Sequence, residues 1–151
     1  MHLAQFNIGR MIAPQGDLRV AEFYDSLDRI NAVAEACPGF VWRMKDPENN
    51  DATQIRPYDT DPDVLVNLSV WESHQALFDY VYRSAHMDYV RRRREWFLPL
   101  GQVFTVLWWI PEGATPTLDE AMERLEHLRE NDPTPYAFTF RSVFEPQPAS
   151  P

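Results

Sequence analysis

Residues 64–71, VLVNLSVW, decide how the rest of the chain is read. Side chains alternate across a strand, so Val64, Val66, Leu68 and Val70 share one face, and Leu65, Asn67, Ser69 and Trp71 share the other. The first face is wholly apolar and the second is mixed. Ser73 follows and can cap a helix that the 3.6-residue spacing carries to about Phe97, where Pro99 and Gly101 end it.

The same alternation recurs outward from this segment. Residues 3–11 set Ala4, Phe6 and Ile8 against Gln5, Asn7 and Gly9, and residues 103–110 set Phe104, Val106, Trp108 and Ile110 against Val103, Thr105, Leu107 and Trp109. Residues 137–144 set Phe138, Phe140 and Phe144 against Ala137, Thr139 and Arg141. Asp17 can cap a helix from about Arg19 to Cys37, with Val20, Phe23, Leu27, Ile30 and Ala34 as its apolar stripe and Pro38-Gly39 as its stop. Phe40 to Lys45 reads as a strand, and Thr53 to Arg56 as a short returning strand. Thr117 can cap a last helix to about Asn131, with Glu120 completing a capping box. Most of the 13 prolines fall between these elements and act as punctuation.

The predicted order is β-α-β-(β)-β-α-β followed by α-β, an α+β fold of the ferredoxin-like kind with helices on one face of an antiparallel sheet. The apolar strand faces suit the helices, and a second subunit is the simplest cover for the other face. At 151 residues the chain is expected to form one domain over 1–144, with a flexible Pro-rich tail over 145–151.

Composition narrows the function. The net charge is −9, which disfavours a phosphate backbone as partner, so no nucleic acid is expected. No apolar run approaches the roughly 20 residues of a membrane span. Met1-His2-Leu3-Ala4-Gln5 does not open a secretory signal, so a cytoplasmic location is expected. Cys37 is the single cysteine, and His2, His74, His86 and His127 show no metal-ligand spacing, so no metal site is expected. The five glycines form no phosphate-cradling motif, and no GxSxG elbow occurs.

What remains is the mixed sheet face. It gathers Asn7, Asn67, Ser69, Trp71, Trp109 and Arg141 on one surface, in keeping with a small-molecule cavity or with a dimer interface. On the long helix Tyr82, His86, Tyr89 and Arg93 are spaced four, three and four apart and share one edge. A His among these groups suits acid/base work or haem ligation, and equally a hydrogen-bonded place at the rim of the core. Arg91 to Arg94 reads as a solvated face, with Asp88 reaching Arg92 and the acids of 112–132 as further partners; an anion site is the alternative. Arg56 either gates a pocket or anchors a loop.

The run 67–94, NLSVWESHQALFDYVYRSAHMDYVRRRR, together with LAQFNIGRM, DATQIRPYD and the late VLWWIP, resembles the bacterial domain-of-unknown-function family 3291 over about Leu3 to Phe144. That family is similar in turn to the antibiotic-biosynthesis monooxygenase-like dimeric α/β barrels. The resemblance implies a homodimer with a ferredoxin-like subunit, and an enzyme acting on an apolar or aromatic small molecule. Relatives include cofactor-independent monooxygenases, cyclases, isomerases and haem-degrading enzymes. Monooxygenation without a cofactor is the leading expectation. His86 would be the acid/base, Asn7, Asn67 or Arg141 would stabilise a developing oxyanion, and Trp71, Trp109, Tyr82, Tyr89 and Ser69 would shape the site. A haem protein with His86 as axial ligand is the second expectation, and a non-catalytic homodimeric binding module is the third.

Overall fold

The computed structural model describes residues 1–147; the end of the expected tail, 148–151, lies outside the described residues. The elements follow one another as β1 (His2–Met11), α1 (Ala21–Ala36), β2 (Phe40–Arg43), β3 (Val64–Trp71), α2 (His74–Arg83), α3 (His86–Trp96), β4 (Phe97–Leu98), β5 (Thr105–Ile110) and α4 (Leu118–Glu130). A short 3-10 turn, Leu18–Val20, leads into α1, and Asp17 caps it by accepting from the Arg19 amide at 2.8 Å.

All sheet pairings are antiparallel. The order is β2-β3-β1, after which β1 pairs along the same edge with β5 and then with the two-residue β4. The register sets Asn7 opposite both Asn67 and Thr105, and Gln5 opposite both Ser69 and Leu107. The alternating faces therefore align across three strands, as the sequence predicts for an α+β antiparallel fold.

The covers are distributed differently from the expectation. The apolar face of Phe6, Val66, Leu68, Val106 and Trp108 packs against Ala121, Leu125 and Leu128 of α4, with Trp42, Met44 and Ile55 joining from the β2 side. Helices α1, α2 and α3 share the opposite, mixed face: Ala34 and Leu77 pack with Leu3, Trp71 and Leu107, and Trp96 packs with Leu65 and Met11. A strand's own alternation separates two faces but does not say which helix crosses over to which, so the period-two reading leaves this assignment open. Both sheet faces are thus covered within one chain, with the central strand residues of either face almost fully buried apart from Asn7 and Asn67.

Three element expectations need correction. The single helix from Ser73 to Phe97 is two helices, broken at Ser84-Ala85. The Ser84 hydroxyl donates to the Tyr80 carbonyl at 2.5 Å and accepts from the His86 amide at 3.1 Å, so it ends α2 and starts α3 at once. Thr53 to Arg56 is a turn rather than a strand, closed by Asp51, which accepts from the Thr53 amide and hydroxyl at 3.0 and 2.6 Å. The expected strand 137–144 is reduced to isolated bridges, of which one joins it to β5: Phe138 and Leu107 exchange both backbone hydrogen bonds at 2.9 Å. A turn follows at once, with the Ser142 amide bonded to Thr139, and it breaks the alternation.

Elsewhere the local chemistry matches the geometry. Gly39 lies at φ +86 between α1 and β2, a left-handed conformation that suits glycine, and it sits against the Ala76 side chain. Thr117 caps α4 by accepting from the Glu120 amide at 3.1 Å, while the Glu120 carboxylate turns to Arg124 at 3.1 Å instead of closing a capping box.

Candidate functional site

Between the mixed face and the three arching helices lies a cavity of about 380 Å³. Its floor is Gln5, Asn7 and Gly9 of β1, Leu65, Asn67, Ser69 and Trp71 of β3 and Thr105 of β5; its roof comes from α1, α2 and α3. The volume falls toward the lower end of the roughly 300–1,000 Å³ typical of small-molecule sites, which suits a compact aromatic better than a porphyrin.

The floor carries a connected polar chain. Asn7 Nδ2 donates to Gln5 Oε1 at 2.5 Å, and Gln5 Nε2 donates to Asn67 Oδ1 at 2.8 Å and to Ser69 Oγ at 3.1 Å. The indole N–H of Trp71, which can only donate, reaches the same Ser69 Oγ at 2.9 Å. Gln5 and Ser69 are buried, at 5% and 7% exposure, so this chain satisfies groups that burial would otherwise penalise. Asn67, by contrast, stands open to the cavity, and its Nδ2 has no partner among the described residues. That leaves one amide donor available to an oxygen atom of a ligand.

The roof carries His86. Its ring lies 4.7 Å from that of Tyr80 and 6.4 Å from that of Tyr89, and Tyr80 in turn stacks on Trp71 at 5.0 Å. Nδ1 faces the Val81 carbonyl at 3.4 Å. A carbonyl can only accept, so this contact places the proton on Nδ1 and leaves the Nε2 lone pair available. Burial lowers the His86 pKa below the ordinary value, and the Val81 carbonyl opposes this only in part. Burial also pushes the Tyr80 phenol well above its ordinary value, so that neighbour stays protonated. No group of three or more His, Cys, Asp or Glu side chains able to hold a metal ion occurs among the described residues. Among the described residues His86 is the only imidazole in the lining and so the only candidate axial ligand for a haem there.

The family model described as Domain of unknown function (DUF3291) matches residues 2–151. The chain belongs to DUF3291. A comparison with curated proteins finds no match. Among solved structures the DUF3291 chain is similar to SnoaB, a cofactor-independent oxygenase from Streptomyces nogalater, at 16% identity and a TM-score of 0.47, covering 77% of this chain and 98% of that one. It is similar to a candidate antibiotic biosynthesis monooxygenase from Chloroflexus aurantiacus at 17% identity and a TM-score of 0.45, with the same two coverages of 77% and 98%. A protein of unknown function from Nitrosomonas europaea gives 11% and 0.47, covering 77% of this chain and 93% of that one. Identity this low transfers no residue role.

In this DUF3291 chain the cavity brings together Asn7, Asn67, Ser69, Trp71, Tyr82, His86 and Tyr89 of the residues singled out in sequence. Tyr82 is at the rim, 41% exposed. Trp109 and Arg141 are not brought there. Trp109 Nε1 donates to the Phe144 carbonyl at 2.6 Å and so pins the C-terminal segment to β5. Arg141 is exposed on the turn after Phe138, because the strand that would have carried it inward stops short. Arg56 anchors its own loop through the Thr53 and Ile55 carbonyls. Within the arginine run, Arg92 pairs with Glu22 of α1 and with Glu95 rather than with Asp88, which instead faces Arg91 at 4.0 Å.

Sequence reasoning missed Gln5 and Tyr80. Gln5 was visible as a polar residue on the mixed face of β1 between Leu3 and Asn7. Tyr80 was off the apolar stripe of an unbroken helix, and only the break at Ser84 turns it toward His86.

Proposed function

We propose that this chain is a small-molecule enzyme that oxygenates an apolar or aromatic substrate in the cavity on the mixed face, without a metal or flavin. The observation that carries the reading is a buried imidazole, its Nδ1 facing the Val81 carbonyl, in the roof of an aromatic-lined cavity whose floor presents an Asn67 amide with no partner among the described residues. The substrate class is one with an acidic methylene C–H conjugated to a phenol or ketone. His86 Nε2 takes that proton, and Asn67, with Asn7 beside it, donates to the enolate oxygen that forms. The enolate carbon is then the electron donor to dioxygen. A C–O bond forms, the proton returns to the peroxide, and loss of water leaves a new carbonyl. The balance closes without a further reductant: one methylene carbon and one dioxygen become one carbonyl carbon and one water, and that water carries both of the methylene hydrogens. Trp71, Tyr82 and Tyr89 hold the ring system, and Tyr80 holds His86.

A homodimer accompanies this reading, on the strength of the sequence resemblance set out above. The test of the reaction is oxygen uptake by chelator-treated protein across polycyclic aromatic ketones that carry a methylene conjugated to the carbonyl, with isotopically labelled dioxygen traced into the product. Haemin titration, followed by absorption, is the parallel arm. A saturable Soret shift lost in His86→Ala, with no oxygen uptake on the aromatics, would replace this reading with haem binding.

A further inference from the structure

Three charged side chains line the cavity besides His86: Arg43, Asp51 and Arg93. Two of them are engaged. Arg43 donates to Glu35 at 3.0 Å and to Asn50 at 2.8 Å, and Asp51 accepts from Thr53. Arg93 is different. It makes no hydrogen bond or ion pair among the described residues, although Arg91 and Arg92 on the same turn of α3 both find carboxylates. Its guanidinium lies 4.7 Å from the centre of the Phe97 ring and 4.3 Å from that of Phe104. Gly9 makes room for this arrangement: a Cβ there would stand 2.6 Å from the Phe97 ring and 3.4 Å from an Arg93 nitrogen. Burial alone shifts the Arg93 pKa, downward, and no neighbouring charge contributes.

A guanidinium that lies against two rings and meets no carboxylate among the described residues keeps its N–H donors available to an anion. Its planar fork of N–H donors suits two parallel hydrogen bonds to a carboxylate. We propose that Arg93 is the docking point for a carboxylate carried by the ligand, so that the cavity takes aromatic carboxylates in preference to neutral aromatics. A carboxylate fits better than a phosphate. One unpaired guanidinium balances one negative charge, the lining offers no second free cation among the described residues, and the chain as a whole carries −9. This rests on the cavity being the ligand site, as proposed above.

The test uses two probes of equal size, 2-naphthoate and 2-naphthamide, titrated against the full chain while following tryptophan fluorescence, since Trp71 and Trp96 line the cavity. Wild type is expected to bind naphthoate about tenfold or more tightly than naphthamide, a preference that weakens with added salt. Arg93→Gln is expected to bind both alike, at the affinity of naphthamide, which also shows that the variant is folded. Arg93→Lys keeps the charge without the fork and is expected to retain a reduced preference. Arg91→Gln, on the exposed side of the same turn, is expected to retain all of it. Equal affinities in wild type, or a preference that survives Arg93→Gln, would overturn the Arg93 assignment while leaving the cavity as the ligand site. If neither probe binds wild type, the cavity reading fails and this one with it.

Discussion

At His86 two influences oppose each other, and burial wins. The Val81 carbonyl favours the protonated ring, yet desolvation outweighs it and lowers the pKa from the ordinary value of about 6.5. The neutral ring is therefore the folded state's preferred form. The sign follows from linkage: the unfolded chain binds the proton more readily, so this group's contribution to stability is fully present above about pH 6.5 and is lost as pH falls through the lower folded value. NMR titration of the His86 Cε1–H signal should show an inflection below 6.5, with the activity profile rising through the same midpoint. An inflection at or above 6.5 would mean that the ring is better solvated or better paired than its place beside Tyr80 and Tyr89 implies. Asn67 is the complementary group. It pairs across the ladder with Asn7, is held by Gln5, and its amide NH2 meets no partner among the described residues. The residue identities on the mixed face were legible from period-two arithmetic alone, because Asn7, Asn67 and Ser69 interrupt otherwise apolar strands. Their partner Gln5 was equally visible on that face, but the register that joins it to Ser69 is a pairing between strands more than sixty residues apart, which no local pattern encodes.

The elements differ in how much of them local chemistry determines. β1, β3 and β5 were readable because alternation over six or more residues is a strong signal. The break between α2 and α3 was not, since Ala85 and its neighbours are acceptable helix formers and the apolar spacing continues across it. What breaks the helix is the Ser84 side chain competing for backbone groups on both sides. The segment 137–144 failed in the opposite way: its alternation is real, but Thr139 and Ser142 close a turn after a single bridge to β5. At the crossing of β1 with the α3–β4 junction, close approach depends on one missing methyl group. Gly9→Ala should push the Phe97 ring aside and cost about 1–3 kcal/mol as an overpacking change, measured by denaturant unfolding. A neutral effect there would mean that Phe97 and Arg93 have a second arrangement available.

For the whole molecule, the notable outcome is the exchange of covers. The apolar face, which the sequence assigns to the helices, receives α4 and the β2-side loop, while α1 to α3 enclose the mixed face and so create the cavity. Both faces were correctly divided in sequence, but which helix covers which face depends on the crossover connections, and these are not written in a strand's own pattern. The redistribution also bears on assembly. With both faces covered inside one chain, a dimer would have to use an edge, a helix surface or a displaced α4. Light scattering on the purified chain is expected to give a dimer of the 17.7 kDa subunit; a monomer with intact ligand binding would show that the cavity is complete in a single chain. No helix among the described residues is long and apolar enough to cross a membrane.

The most direct test of the account is the rate of cofactor-free oxygen uptake on a polycyclic aromatic ketone carrying a conjugated methylene, compared between wild type and His86→Gln at pH 7.5. The Gln side chain keeps polarity and approximate size but supplies no base. A general base of this kind contributes roughly 10²–10⁴-fold, so the variant should bind the aromatic as wild type does and lose about 10²-fold or more in rate. Uptake at the wild-type rate in His86→Gln would contradict the account, because the reaction would then be proceeding without the base assigned to it.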